Sequence, residues 1–240
     1  MLKTPIAERR TGWLGPVGKV IRGWNAARCW ARYLSRGRHD GLSGLLDFTL
    51  GNHFFCAMQV RSELRALGEL LTSAPPTCAM EIGTARGGTL FFLTRLATPD
   101  ATIISVDLPA GRFGGGYSSA RRRVYRRFSR GAQQLYLFRE DSHSPETLAH
   151  VKGVLAGRAL DYLFIDGDHR YEGVRQDFEL YGPLVRKGGV IAFHDIVDGP
   201  HENVGGVPRF WKEVSARYAH GEIVADRKQG SCGIGWLSFE

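Results

Sequence analysis

Short apolar segments alternate with segments of helical periodicity along the chain from Gly41 onward. Five segments have the length and apolar character of buried strands, and they cover residues 77–82, 102–106, 135–138, 162–165 and 188–194. Apolar residues at spacings of three and four predict helices at 58–71, 89–97, 145–155 and from Tyr171 onward. Ser144 is a favourable N-cap for the third of these helices. Because strands and helices alternate, we expect an α/β fold with a doubly wound, mostly parallel sheet.

The C-terminal part of the chain departs from this alternation. A helix is predicted at 207–218, and strands are predicted at 222–225 and 233–238. The two strands are joined by a short turn region around Gln229 and Gly230. A link this short cannot hold a crossover helix, so the last strand is expected to run antiparallel to its neighbours.

The chain divides into a basic leader at 1–40 and one domain at 41–240. The leader holds nine Lys or Arg side chains against Glu8 and Asp40, so it carries +7 of the formal net charge of +8. Trp13 and Trp24 belong to an apolar helical pattern that several glycines interrupt. Two interpretations stay open. One is a surface helix that rests on an anionic membrane face or reaches an acidic glycan substrate, and the other is an arm that packs on the domain or on a second subunit.

Composition disfavours several other classes of protein. No apolar run of roughly 18 residues is present to span a bilayer. The four cysteines are too scattered to predict a zinc site or a disulfide framework, which favours a reducing compartment. We therefore expect a cytoplasmic protein, at most peripheral to the inner face of the membrane. The body after the leader is close to neutral and lacks a base-reading motif, so no nucleic-acid partner is expected.

Polar residues after the first three predicted strands indicate a nucleoside pocket. The glycine-rich turn from Glu81 to Gly88 opens a helix, which allows a cofactor to approach bare backbone. Asp107 follows the second strand, at a distance along the chain from Gly83 that is typical of an acid that binds a ribose hydroxyl. Asp141 and Ser142 follow the third strand. S-adenosylmethionine and a nicotinamide dinucleotide both fit such a pocket. Ala85 occupies the second glycine position of a dinucleotide fingerprint, which favours S-adenosylmethionine, whose positive end Glu81 would face.

The next two predicted strands end in titratable side chains. Asp166, Asp168 and His169 follow the run at 162–165, and His194 and Asp195 end the run at 188–195. In an open parallel sheet, ligands bind beyond the carboxyl ends of the strands, so these groups are expected to share one crevice. The structural alternatives are a capped turn at Asp166 and Asp168 and a hydrogen-bonded pair at His194 and Asp195.

The ordered set of these motifs resembles class I methyltransferases of the cephalosporin-hydroxylase-like and macrolide-sugar O-methyltransferase type. The resemblance covers roughly residues 59–237 and rests on eight motifs along the chain. They are Asp107-Leu108-Pro109, Phe113 to Tyr117, Asp141-Ser142, Phe164 to His169, Tyr171 to Val174, Gly188 to Asp195, Gly206 to Trp211 and Gly233-Ile234-Gly235. The resemblance implies a seven-stranded Rossmann-like sheet, S-adenosylmethionine as methyl donor, and a divalent cation, usually Mg²⁺, beside the acceptor hydroxyl.

The resemblance also implies roles for individual residues. Asp166 and Asp195 match metal-ligand positions, and His169 matches a proposed general base. His194 lies where several relatives carry an acidic metal ligand. Its role therefore stays open: it is either the third metal ligand or a general base. The predicted catalytic residues are His169 and His194, and the predicted metal ligands are Asp166, His194 and Asp195. The predicted cofactor-binding residues are Glu81, Gly83, Ala85, Asp107, Asp141, Ser142 and Asp166.

We therefore expect an S-adenosylmethionine-dependent, metal-assisted O-methyltransferase. Its acceptor would be a hydroxyl of a sugar, glycolipid or secondary metabolite, selected by the glycine-rich loops at 111–119 and 198–206. The alternatives are a nicotinamide-dependent oxidoreductase and a non-catalytic binding protein on the same fold. A homo-oligomer is compatible with the sequence. The arginine-rich segment 121–130 is either a grip for an anionic group or a solvated helix face.

Overall fold

The computed structural model describes residues 41–51, 54–109 and 116–239, and both interpretations of the leader concern residues outside these ranges. The helices are α1 (Gly41–Gly51), α2 (Arg61–Ser73), α3 (Gly88–Leu96), α4 (Ser119–Tyr125), α5 (Pro145–Leu155), α6 (Tyr171–Tyr181), α7 (His201–Val204) and α8 (Val207–Ser215). The strands are β1 (Cys78–Ile82), β2 (Thr102–Val106), β3 (Gln134–Phe138), β4 (Leu160–Ile165), β5 (Val185–His194), β6 (His220–Ile223) and β7 (Ile234–Phe239). A short 3₁₀ turn at Gly182–Leu184 links α6 to β5.

The strands of the described chain form one seven-stranded sheet in the order β3-β2-β1-β4-β5-β7-β6. Strands β1 to β5 run parallel to one another, whereas β7 pairs antiparallel with both β5 and β6. The order reverses between β1 and β4, which is the point where ligands bind in open α/β sheets. The predicted Rossmann-like fold with an antiparallel last strand is confirmed.

Apolar clusters cover both faces of the sheet, which explains the continuous apolar runs in the sequence. One cluster joins α1, α2 and α3 to one face of the sheet, and Phe55, Phe91 and Phe128 are fully buried in it. The other cluster joins α5, α6 and α8 to the opposite face, with Tyr181 and Trp211 at its centre. All five residues of β1 and of β2 are buried, so these central strands position the turns that follow them.

Several predicted boundaries are shifted by two or three residues. The predicted helix at 58–71 begins instead at Arg61, because Val60 before it has an extended backbone and Gln59 donates to Asp166. Strand β6 ends at Ile223 rather than at 225, where the N–H of Ala225 donates to Glu63. Helix α8 ends at Ser215 rather than at 218. No helix was predicted for α1, which has 11 residues, or for α7, which has four.

Candidate functional site

A cavity of about 380 Å³ lies at the carboxyl ends of strands β1 to β5. Its lining includes all but one of the predicted site residues, which come from separate strands. They are Gly83, Ala85, Asp107, Asp141, Ser142, Asp166, His169, His194 and Asp195. Of the predicted loops, residues 111–115 lie outside the described ranges. The topology therefore brings the predicted nucleoside end and the predicted acid and imidazole groups into one cavity.

The turn between β1 and α3 brings bare backbone to the cavity wall. Gly83 has φ of +90°, and a Cβ at this position would lie 1.9 Å from the carbonyl oxygen of Asp166. Gly87 has φ of +81°, and a Cβ there would lie 2.6 Å from the ring of Tyr125. Ala85 between them also has a positive φ of 44°. Glycine at 83 is required both by its backbone conformation and by the close passage of the strand β4 end.

The carboxylate of Asp107 ties this turn to the segment before α4. Its Oδ2 accepts the N–H of Ala85 at 2.7 Å and the N–H of Gly116 at 3.2 Å. Burial raises the pKa of Asp107 to about 6, although these hydrogen bonds act in the opposite direction. Its predicted contact with ribose hydroxyls would add to these two backbone bonds.

Glu81 is the predicted cofactor residue that does not line the cavity. It is 1% exposed and lies near the hydroxyls of Thr84 and Thr89. Its Oε1 has no hydrogen-bond partner within the described ranges. Burial raises the pKa of Glu81 to about 8, so the group holds a proton more readily than an exposed glutamate.

Helix α6 supports the loop that follows β3. The hydroxyl of Tyr181 donates to the carbonyl oxygen of Ser142 at 2.7 Å. His143 Nε2 lies 3.2 Å from Oδ1 of Asp177, which is completely buried. Asp177 was not among the predicted residues. The available signal was an acid in the helical stripe that also holds Val174 and Tyr181.

Two carboxylates and two imidazoles converge at the ends of β4 and β5. His194 Nδ1 lies 3.2 Å from Oδ1 of Asp166 and 3.4 Å from Oδ2 of Asp195. His169 Nε2 lies 3.6 Å from the same two oxygens. The arrangement joins both predicted bases to the predicted carboxylate ligands in one cluster, which we call the acid–imidazole cluster.

Charge pairing within this cluster shifts its pKa values. Burial opposes the ionisation of Asp166, but the neighbouring His194 and His169 outweigh it and lower the pKa of the carboxyl. Burial likewise disfavours the imidazolium of His194, but Asp166 and Asp195 raise its pKa well above the usual value. In the ion-free protein, these opposite charges stabilise one another inside a largely buried site.

The remaining oxygens of the two carboxylates bind groups that the sequence analysis did not identify. Gln59 Nε2 donates to Oδ2 of Asp166 at 3.2 Å, and the N–H of Cys232 donates to Oδ1 of Asp195 at 2.7 Å. The segment around Cys232 is held by the buried Glu63, which accepts from the N–H groups of Ala225 and Gly233 and from the side chain of Gln229. These contacts join residues from 37 to 170 positions apart, so no local pattern predicts them.

Asp168 follows the structural alternative more closely. Its Oδ1 accepts the N–H of Arg170 at 2.9 Å, and its carboxylate pairs with the guanidinium of the same residue. This pattern is a capped turn that leads into α6. Asp168 therefore orders the turn beside the cavity rather than the acid–imidazole cluster.

The fold and cavity define an α/β enzyme that binds its ligand at the reversal point of a parallel sheet. Residues 80–196 match the family described as "Methyltransferase domain". The match covers just under half of the chain, and over these residues the protein is similar to methyltransferase domains. This similarity agrees with the expected enzyme class and favours it over the nicotinamide-dependent alternative.

Solved structures with the same fold include two O-methyltransferases. TomG from Streptomyces achromogenes, in complex with SAM, is 19% identical, with 91% of this chain and 98% of that chain covered and a TM-score of 0.56. The O-methyltransferase from Bacillus cereus, in complex with SAH, is 18% identical, with 82% and 90% covered and a TM-score of 0.55. The uncharacterized protein R132 of Acanthamoeba polyphaga mimivirus is 56% identical over 39 residues, which are 16% of this chain and 18% of that protein.

Proposed function

We propose that the protein transfers a methyl group from S-adenosylmethionine to a hydroxyl oxygen with the help of a divalent cation. The acceptor would be a small molecule or glycan, such as a sugar, a glycolipid or a secondary metabolite. The observation that carries this proposal is the convergence of Asp166, Asp195, His169 and His194 in the cavity that Asp107 also lines. Asp107 would bind the nucleoside of the cofactor, and the acid–imidazole cluster would take up the proton of the acceptor. Methyl transfer to oxygen requires both functions in one cavity.

The cofactor would lie across the ends of β1, β2 and β3. The bare backbone at Gly83 admits the methionine end, and Asp107 accepts from the ribose hydroxyls. Asp141 and Ser142 border the adenine. Two structural relatives are described with SAM or SAH bound, which supports this choice of cofactor.

The donor set of the acid–imidazole cluster fits a divalent cation. Asp166 and Asp195 each hold one oxygen through an N–H donor and present the other oxygen toward the imidazoles. These two oxygens would hold the ion. When bound, the ion would act as a Lewis acid that favours the ionised form of the acceptor hydroxyl.

The imidazoles would manage the proton. As the oxygen of the acceptor attacks the methyl carbon, a C–O bond forms and the C–S bond breaks. The hydroxyl proton would pass to His169 or His194, whose protonated form the carboxylates favour in the ion-free protein and a bound cation would disfavour, and the products would be a methyl ether and S-adenosylhomocysteine. A positioned base of this kind typically contributes about 10²–10⁴-fold to the rate.

Calorimetric titration tests the cofactor assignment. We expect the protein to bind S-adenosylmethionine and not NAD⁺, and we expect Asp107→Ala to weaken binding roughly 10- to 100-fold. That range corresponds to about 1.5–3 kcal/mol for a hydrogen bond to a charged group. Asp100→Ala is the matched control, because Asp100 lies in an exposed turn and bonds Thr98. Binding of NAD⁺, or of neither cofactor, would contradict the proposal.

Activity tests the role of the cluster. With a panel of hydroxylated acceptors and S-adenosylmethionine, Asp195→Ala should abolish formation of S-adenosylhomocysteine while cofactor binding persists. Asp168→Asn is the comparison, because its carboxylate pairs with Arg170 outside the cluster. A variant at Asp195 that retains most of the activity would show that the carboxylate takes no part in the reaction.

A further inference from the structure

The ring of His169 has a defined orientation. Its Nδ1 lies 2.8 Å from the backbone carbonyl oxygen of Asn203 in α7. A carbonyl oxygen can only accept a hydrogen bond, so Nδ1 carries the proton. In the neutral ring, Nε2 then presents a lone pair. A histidine that binds a metal through one nitrogen commonly donates its other N–H in this way.

Nε2 of His169 faces two anionic oxygens. Burial disfavours the imidazolium, but these two carboxylates raise the pKa of His169 to about 9, so the ion-free ring holds a second proton that a metal ion would replace. Nε2 lies 3.6 Å from Oδ1 of Asp166 and 3.6 Å from Oδ2 of Asp195. One ligand atom from each of these three residues lies within 4.8 Å of the others. Three acceptor atoms that face one another repel unless a positive charge lies among them. That charge is either a proton on the ring or a metal ion.

The surroundings of the three groups favour a metal ion with affinity for nitrogen. Asp195 forms a second group of possible ligands with His194 and Cys232, again within 4.8 Å. His194 is 6% exposed, and its Nε2 has no hydrogen-bond partner within the described ranges. Imidazole and thiolate suit first-row transition ions, whereas Mg²⁺ prefers oxygen ligands in octahedral geometry.

We infer that Asp166, His169 and Asp195 form a divalent-cation site in which the imidazole is a ligand, so that the site selects a first-row transition ion over Mg²⁺. The inference rests on the proposed function in one respect, the position of the ion beside the acceptor hydroxyl. It changes the ion that the resemblance implied. It also assigns His169 to the metal, which leaves the transfer of the proton to His194.

Ion binding can be measured without an acceptor. The full chain, freed of metal by a chelator, is titrated with Co²⁺ and separately with Mg²⁺ by calorimetry, and the visible spectrum of Co²⁺ reports its ligands. We expect Co²⁺ to bind on the order of tenfold or more tightly than Mg²⁺. Equal or tighter binding of Mg²⁺, or no binding of either ion, would overturn the inference.

A pair of substitutions isolates the nitrogen ligand. In His169→Asn, the amide can still donate to Asn203 but offers no atom at the position of Nε2. We expect this variant to lose about 10- to 100-fold in Co²⁺ affinity, with an altered Co²⁺ spectrum, and to change Mg²⁺ affinity little. His220→Ala is the control, because its Nδ1 also contacts a backbone carbonyl, that of Tyr218, at the edge strand β6. Unchanged Co²⁺ affinity in His169→Asn would refute the assignment.

Cofactor titration of the same samples separates the two proposals. If the unaltered protein fails to bind S-adenosylmethionine, the proposed function is wrong whatever ion is bound. If it binds S-adenosylmethionine but prefers Mg²⁺, the inference about His169 alone is wrong. Retained cofactor binding in His169→Asn shows that the variant is folded, and His169→Gln provides a second variant in which an amide replaces the ring at greater length.

Discussion

At the end of β2, the carboxylate of Asp107 serves the local structure and the proposed cofactor site together. Its bonds to Ala85 and Gly116 hold the turn after β1 against the segment before α4. Burial raises the pKa of Asp107 to about 6, so a substantial fraction of the protein carries a protonated Asp107 in mildly acidic solution. A protonated carboxyl is a poorer acceptor for ribose hydroxyls than a carboxylate.

The affinity for S-adenosylmethionine should therefore decrease as the pH falls through about 6. Since only the ionised form of Asp107 accepts fully, the loss approaches about tenfold per pH unit below that value. Calorimetry between about pH 5 and pH 7 measures this loss of affinity. Glu81, whose pKa is raised to about 8, stays mostly protonated over this range and does not contribute to the change. Asp107→Asn should bind more weakly with a flatter pH profile. An equally steep profile in that variant would assign the dependence to a group other than Asp107.

Individual site residues were predictable where they follow a strand directly. Asp107, Asp166 and Asp195 share this position, because the carboxyl ends of parallel strands meet at one edge of the sheet. Gln59 and Asp177 do not follow strands, and their partners lie 107 and 34 positions away in the chain. Their roles depend on tertiary packing, which a local pattern does not contain.

At the scale of elements, α6 acts as the support of the loop after β3. Tyr181 and Asp177 are both buried, and they reach Ser142 and His143 from the same helix. Asp177 Oδ2 would also lie 3.4 Å from a Cβ at Gly167, the residue after Asp166. One buried side chain of α6 thus packs behind two separate segments of the cavity wall.

Asp177→Asn should weaken S-adenosylmethionine binding without altering the acid–imidazole cluster. The substitution keeps the shape of the side chain but removes the charge that pairs with His143, so the adenine side of the cavity loses order. We expect a loss of about fivefold, or about 1 kcal/mol, in calorimetric affinity, and a raised KM for S-adenosylmethionine with kcat nearly unchanged.

The matched control for this variant is Glu179→Gln, which lies on the same helix and pairs with Arg175 at the surface. Thermal unfolding of both variants separates lost binding from lost stability. If Asp177→Asn binds the cofactor as tightly as the unaltered protein, α6 does not position the loop through this side chain.

The types and order of the central elements were predictable because their apolar runs are long and regular. Each predicted strand in the parallel part of the sheet is present, and Ser144 caps α5 by accepting the N–H of Glu146. The errors lie at boundaries and in the helices α1 and α7. Helix α2 begins late because Met58 before it lines the cavity and Gln59 donates to Asp166, and α7 holds only four residues, too few for a periodic pattern.

Across the whole molecule, positive charge is unevenly distributed. The leader carries +7 of the net +8. In the described ranges, no acid lies within ion-pair distance of the arginines of the 121–127 segment, whereas seven arginines elsewhere pair with acids. Arg130 differs, since it donates to carbonyl oxygens at the end of α3. No helix within those ranges is long and apolar enough to cross a bilayer.

We propose that the leader gives the protein a reversible contact with anionic membrane surfaces. Basic residues near such a surface contribute about 1 kcal/mol each, and the leader adds tryptophans that favour the interface. The full chain should therefore sediment with vesicles of phosphatidylcholine and phosphatidylglycerol but not with phosphatidylcholine alone, and added salt should release it.

Two charge-reversed forms of the full chain locate the contact. Lys19→Glu combined with Arg22→Glu should abolish most of the sedimentation, because each reversal removes an attraction and adds a repulsion. Arg123→Glu combined with Arg126→Glu changes the charge of α4 and its C-cap by the same amount and should leave sedimentation largely intact. The reverse result would assign the membrane contact to α4. Equal sedimentation of all forms would support the other interpretation of the leader, an arm that packs on the domain or on a second subunit.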